Sequence, residues 1–271
     1  MAAPMLPPPV ALVVFARPPI AGHVKTRLYR AAPDIQHAAL GRTLDAEHAA
    51  LLHHAFVADV LENSARVPFS TRLLYVAGDP ADPALSALAQ THGYTMRAQA
   101  GSDLGSRMRR AIADELAAGS AAVVLIGTDS PTLPAAYLHR ALRHLQAGVD
   151  FVLGPAHDGG YYLIAARADH PSLFPTDMPW GTPAVLPRTL SALVQLSALG
   201  HRCHLLPFHY DCDTPADLRL LSDHLRLAMH AQAPSARAAP DDDVIDAPHT
   251  AKLLSYLGIL GGIRHSRDGV S

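Results

Sequence analysis

Fully apolar runs alternate with stretches of helical period along this chain. Val10–Ala16 and Val123–Ile126 are apolar at every position, the pattern of strands covered on both faces of a parallel sheet. Arg72–Gly78 and Tyr94–Gln99 read as further strands, Asp150–Ala166 as two strands flanking a polar turn, and Cys203–Tyr210 as a last strand. Helical patterns fill the intervals, over about 37–63, 84–92, 135–146, and from the 100–108 segment to near Gly119. Two more run up to about Leu199 and Met229. This alternation predicts an α/β three-layer domain with a mostly parallel central sheet. Residues 1–9, rich in proline, read as a flexible N-terminus, and 10–230 as one domain. Residues 231–249 are rich in Ala, Pro and Asp and carry no period, so 231–271 reads as a linker and a short helix, Thr250 to about Ile263. That helix is expected to dock on the main domain or on a neighbouring subunit; the pattern leaves a homo-oligomer open.

Composition narrows the classes. The 271 residues carry 22 basic and 24 acidic side chains, a formal charge of −2. That balance gives no general attraction to nucleic acid or to an anionic membrane. No apolar run is long enough to span a bilayer, and the start lacks the basic and apolar regions of a secretory leader. Cys203 and Cys212 lack CxxC spacing and form no disulfide framework, which fits a cytoplasmic location. The 17 histidines are scattered without HxxxH or HExxH spacing and read as surface or helix-face residues.

Candidate chemistry gathers where apolar runs end. In open α/β sheets, ligands bind beyond the carboxyl ends of the strands, and Asp129 of Gly127-Thr128-Asp129-Ser130-Pro131 falls there. A carboxylate at that point either holds a divalent ion against phosphates or caps a helix. Asp213, in Asp211-Cys212-Asp213-Thr214-Pro215-Ala216-Asp217-Leu218, carries the same two readings, and the pair could meet at one Mg²⁺ or Mn²⁺. After the first strand, Arg17, Gly22, Lys25, Thr26 and Arg27 form a loop suited to clamping phosphate. It is neither a Walker A motif nor a GxGxxG fingerprint. In His157-Asp158-Gly159-Gly160, Asp158 is a candidate to orient an acceptor hydroxyl or act as its base, with Gly159 and Gly160 allowing close approach of substrate to the backbone. A hairpin turn is the competing reading. Trp180 and Thr182 belong to a tight loop, with Trp180 either core packing or a stacking residue. Asp103 and Arg107 lie where a helix starts, either as a cap or as nucleotide contacts.

As an ordered set, the segments 15–28, 101–108, 127–134, 157–164, 179–182 and 211–218 resemble the radical-SAM/selenodomain-associated transferase 1 family of glycosyltransferase-like proteins. That family belongs to the nucleotide-diphospho-sugar transferase (GT-A) superfamily. More distant by pattern are the guanylyltransferases for phospholactate and for molybdenum cofactor. The resemblance covers about residues 10–230. It implies a GT-A Rossmann-like fold, a nucleotide or nucleotide-sugar donor, a small-molecule acceptor, and Mg²⁺ or Mn²⁺. Carried over by position, Asp129 resembles the aspartate that meets the metal, Asp213 the aspartate of the Asp-Thr-Pro-x-Asp-Leu segment in nucleotidyltransferases, and Lys25 and Arg27 the phosphate-binding cations of the first loop. Two departures stand out: the GxGTR loop of sugar nucleotidyltransferases is absent, and Ser106 occupies a position where relatives often carry an acid. The expected activity is glycosyl transfer from a nucleotide-sugar. Nucleotidyl transfer from an NTP, releasing pyrophosphate, is the alternative, and nucleotide binding without catalysis a third reading.

Overall fold

The structure, a computed structural model, describes residues 8–231 and 245–260. The expected N-terminal segment and linker lie largely outside these residues, as does the end of the expected C-terminal helix. Seven strands form one sheet: β1 (Val10–Ala16), β2 (Thr71–Val76), β3 (Thr95–Ala98), β4 (Ala122–Ile126), β5 (Phe151–Pro155), β6 (Tyr161–Ala166) and β7 (Cys203–Leu205). Their order is β3-β2-β1-β4-β6-β5-β7, and every pairing is parallel except the two made by β6. The α/β architecture with a mostly parallel sheet is as the sequence predicts.

Around the sheet lie α1 (Thr26–Arg30), α2 (Pro33–Leu40), α3 (Ala46–Ala65), α4 (Pro83–His92), α5 (Leu104–Ala117), α6 (Ala135–Gln146), α7 (Val185–Ala198), α8 (Pro215–Ala231) and α9 (Pro248–Tyr256). Side chains of a strand alternate between its faces. Val10, Leu12 and Val14 of β1 therefore join a cluster with Val57, Leu61 and Leu138, whereas Ala11, Val13 and Phe15 join one with Met108, Ile112 and Leu193. β1 and β4 are buried at every residue, which is why both read as unbroken apolar runs. Among the described residues, no helix is long and apolar enough to cross a membrane.

Three expectations change. The helix expected over 37–63 is two: Gly41, at φ 70°, ends α2 in a left-handed cap, and extended Asp45 starts α3 by accepting from the His48 N–H at 2.8 Å. The apolar period runs through the break because Leu40 and Leu44 face the same cluster. The last strand is only three residues, followed by an isolated bridge between Ala156 and His209; Pro207 offers no N–H to the ladder in between. The loop after β1 ends in the single turn α1.

The C-terminal helix packs on the main domain. Asp59, fully buried in α3, accepts from the N–H groups of His249 (2.9 Å) and Thr250 (2.8 Å) and from the Thr250 hydroxyl (2.5 Å). One helix thus caps the start of another. Leu254 and Leu257 of this segment join Leu52, Phe56, Leu221 and Leu225 in a third apolar cluster. Asp59→Ala takes the acceptor from three donors, two of them on buried Thr250, and unsatisfied buried groups cost about 1–3 kcal/mol each. A loss of about 3 kcal/mol in urea unfolding is expected. Burial pushes the Asp59 carboxyl up to about 6, against the hydrogen bonds from Thr250 and His249. A raised value means that the folded chain holds the proton longer than the unfolded one. Stability from this group is therefore full below the ordinary value of 3.8 and falls as pH rises through about 6. The unfolding midpoint of Asp59→Asn should lack that part of the slope.

Candidate active site

Because β1 and β4 are parallel neighbours, with Val14 beside Ile126, the segments that follow them leave the same edge of the sheet. The first runs through Gly22, at φ 84°, to Lys25, which at φ 46° is the one non-glycine with a left-handed backbone among the described residues. Such a conformation costs on the order of 1–3 kcal/mol and persists where the surroundings over-determine it. Here the surroundings are acceptors. The Lys25 side chain is 3% exposed and its ammonium lies 2.5 Å from Asp129 Oδ1 and 2.9 Å from Asp213 Oδ1. It also donates to the Cys212 carbonyl (2.7 Å) and lies 5.2 Å from the centre of the Phe56 ring. An ammonium has three donors, and all three are spent within the protein.

Two carboxylates from distant parts of the chain thus converge on one cation. Burial alone would favour the neutral amine of Lys25, but the charges of Asp129 and Asp213 raise its pKa above the ordinary lysine range. Burial likewise works against the Asp129 carboxylate, and the Lys25 ammonium overrides it, holding that carboxyl below its usual value. The Asp213 backbone N–H and the Thr214 N–H and hydroxyl all donate to Asp217, so the turn into α8 fixes where Asp213 stands. Arg27, mostly exposed, lies 3.8 Å from Asp213 Oδ2.

These groups lie in a cleft of about 710 Å³. Arg17, Lys25, Thr26 and Arg27 line it from the first loop, Asp129 from just beyond β4, Asp213 from the turn into α8, and Arg107 from α5. Asp158, Gly160, Trp180 and Thr182 line the other side. Asp158 Oδ1 accepts from the Gly160 N–H at 2.8 Å, so the expected hairpin turn and a cleft-facing carboxylate coexist. Trp180 stands edge-to-face with Tyr161 and rests on Gly105, where a Cβ would come within 2.4 Å of the indole. Trp180 thus packs against the protein and also lines the cleft. Thr182 closes its own loop by donating to the Pro179 carbonyl (2.8 Å), and Arg107 Nε donates to the Gly101 carbonyl (3.1 Å).

Three of the expected contacts fall outside the cleft lining: Gly22, Asp103 and Gly159. Gly22 provides the turn, and its carbonyl faces the Tyr29 hydroxyl at 3.5 Å. Asp103 caps α5, accepting from the Ser106 N–H at 2.9 Å while the Ser106 hydroxyl accepts from the Asp103 N–H at 3.0 Å. The reciprocal cap accounts for a serine at position 106. Gly159 offers its bare face to Pro183 of the protein itself.

Several lining residues escape the sequence reading, among them His53, Gln99 and Asp211. His53, in the middle of α3, is 4% exposed and donates from Nε2 to the Arg17 carbonyl at 3.0 Å, tying the helix to the first loop. Burial lowers its pKa, and so favours the neutral ring; this histidine is not on the surface. Gln99 leaves β3 with its amide nitrogen donating to the carbonyls of Tyr75 (2.9 Å) and Ala16 (3.3 Å). Asp211 accepts from the Ser130 hydroxyl. Burial, then the charges of Asp129 and Asp158, push its carboxyl up to about 7 against that hydrogen bond. Its signal was present in the Asp-Cys-Asp spacing, since alternate residues of extended chain share a face.

The donor set fits a hard divalent ion. Asp129 and Asp213, with side chains 51% and 39% exposed, present oxygens to a common centre. Mg²⁺ is commonly held by one or two carboxylates plus substrate phosphates. Among the described residues no group of three or more His, Cys, Asp or Glu is close enough to hold an ion alone, so phosphate and water would complete the coordination.

A crystal structure from Desulfovibrio desulfuricans G20, described as a "putative nucleotide-diphospho-sugar transferase", is 29% identical over 93% of this chain and 96% of its own, with a TM-score of 0.69. The fold is GT-A-like. The family described as an uncharacterized protein conserved in bacteria (DUF2064) matches residues 60–182. That stretch holds Asp129, Asp158 and Trp180 but neither Lys25 nor Asp213. Rv0371c of Mycobacterium tuberculosis H37Rv is 19% identical over 80% of this chain and 98% of its own, at a TM-score of 0.39. A cytidylyltransferase from Leptospira borgpetersenii is 12% identical over 93% and 97%, at 0.47. No curated protein matches the chain.

Proposed function

We propose that this chain is a metal-dependent transferase that takes a nucleotide-sugar donor and passes the glycosyl group to a small-molecule acceptor. The observation that carries this reading is the meeting of Asp129 and Asp213 on Lys25 at the carboxyl edge of a GT-A-like sheet. The relative from D. desulfuricans, described in the same terms, supports the donor class. In this reading Asp129 and Asp213 hold Mg²⁺ or Mn²⁺, which when bound supplies positive charge against the diphosphate leaving group. Lys25 fixes the spacing of the two carboxylates and prevents their mutual repulsion from parting them. Arg17 and Arg27, whose side chains are exposed at the mouth of the cleft, pair with phosphate oxygens, and Arg107 contributes from α5. Asp158, across the cleft, orients the acceptor hydroxyl and takes its proton. Trp180 offers a flat apolar wall to a base or sugar ring. Rate comes from holding donor and acceptor in register and from charge placed in advance. The two free thiols are in keeping with a cytoplasmic enzyme.

The test is direct. The full chain is incubated with Mn²⁺ or Mg²⁺ and panels of nucleotide-sugars and NTPs, and the released phosphate species are identified. Release of an NDP is the expected result; release of pyrophosphate would assign nucleotidyl transfer instead. Asp129→Asn combined with Asp213→Asn should lower turnover by about 10³-fold or more, the scale seen when charge stabilisation is lost. Turnover, or metal-dependent donor binding, that survives both substitutions would overturn the assignment.

A further inference from the structure

A second cavity, of about 420 Å³, lies between the end of α2, the outer face of α8 and the end of α9, and shares no lining residue with the cleft. Arg42, Arg219 and Arg226 all line it. We infer that it is an anion site for a phosphate-bearing small molecule, of sugar-phosphate to mononucleotide size. The inference does not depend on the transferase reading.

The charge balance points there. The chain as a whole is slightly acidic, yet three guanidinium groups share this cavity and their ion pairs reach only one carboxylate among the described residues, Asp223. Part of this arrangement is structural. Arg42 Nη1 donates to the Leu257 carbonyl (2.6 Å) and Arg219 Nη1 to the Ala39 carbonyl (3.4 Å), each serving a helix end. Helix C-termini attract cations, so capping accounts for those two. It does not account for Arg226. That side chain reaches no helix-end carbonyl among the described residues, and its one bond there is to Asp223 at 3.4 Å.

Donor supply exceeds demand. Each guanidinium has five N–H donors. Arg219 Nε donates to Asp223 Oδ2 at 2.8 Å, and Arg219, Asp223 and Arg226 follow at intervals of four and three residues, along one face of α8. Asp223 thus holds two forks side by side, with Arg42 completing the wall from the loop after α2. Planar forks of this kind match the paired oxygens of a phosphoryl group. The volume is within the range of small-ligand sites.

Binding of inorganic pyrophosphate to the full chain by calorimetry, without divalent ions, tests this. Arg17→Ala with Arg27→Ala serves as the background, to remove binding in the cleft. One pyrophosphate should still bind in that background. Arg226→Ala should weaken it about tenfold or more, the loss of one charge-assisted bidentate contact. Asp223→Asn, which releases two guanidinium groups, should tighten it about threefold or more. A purely structural set of arginines predicts no such opposed pair. Ligand-free melting of Arg226→Ala reports whether the fold is kept, and Arg226→Gln replaces it if not. Absence of binding in the background, or binding indifferent to both the Arg226 and Asp223 substitutions, overturns the inference.

Discussion

Lys25→Met should give a protein that is less stable at neutral pH and regains much of that stability on acidification. Methionine fills the channel past Phe56 but leaves Asp129 and Asp213 facing each other without the ammonium that both now touch. Breaking a buried pair costs about 3–5 kcal/mol. Water reaches both carboxylates, so the lower end, about 3 kcal/mol, is the expected loss in urea unfolding at pH 7. The sign with pH follows from the shift at Asp129. In the wild type its carboxyl is held below the usual range, so it adds stability above the ordinary value of 3.8 that is lost as pH falls through the folded value. Without Lys25, burial, the largest influence on this carboxyl, outweighs the charges of His53 and Arg17 and raises that value, so the variant should lose stability as pH rises from about 4 to 7. Parallel pH profiles for the two proteins would show that Lys25 does not hold the pair. Turnover should fall by about 10²-fold or more, because the carboxylates no longer stand at a fixed spacing.

Gly159→Ala is the second large effect. At φ 88° an L-residue is strained, and the new methyl would lie 2.4 Å from Pro183 Cα, a backbone atom with no side-chain freedom to yield. The Gly159 carbonyl also accepts from the Leu186 N–H at 2.8 Å, so the turn cannot swing away without uncapping the start of α7. Strain of about 1–3 kcal/mol combined with overpacking of similar size predicts a loss of about 3 kcal/mol or more. Asp158 and Gly160 on one side, and Trp180 and Thr182 on the other, would lose their common register, and turnover should fall with stability. Gly160→Ala is the control, since its added methyl meets nothing nearer than Asp158 Oδ1 at 3.2 Å. Equal stability for wild type and Gly159→Ala in thermal melts would refute the argument.

The parts of this fold that could be read in advance are those where one residue's surroundings follow from its neighbours in sequence. β1 and β4 are enclosed on both faces, so every residue is apolar, and the apolar run of β4 marks the place of Asp129 just beyond it. What could not be read depends on partners far along the chain. His53 lies in a run of Leu51, Leu52, His53, His54 and Phe56, and only the Arg17 carbonyl, brought by the loop after β1, gives its ring a buried partner. Asp59 looks like an exposed mid-helix acid until Thr250, 191 residues later, folds back onto it. Lys25 was legible as a cation in the loop after β1, but its acceptors were not, because they come from the segment beyond β4 and the turn into α8.

The saturation of that ammonium bears on how ligands enter. The two carboxylates at the heart of the cleft already share a tethered counter-ion that meets half their charge, so a bare cation arriving from solution must compete with an amine that cannot diffuse away. Only a partner bringing its own negative charge can tip that contest, and the donor and its ion are therefore expected to be captured together rather than in turn.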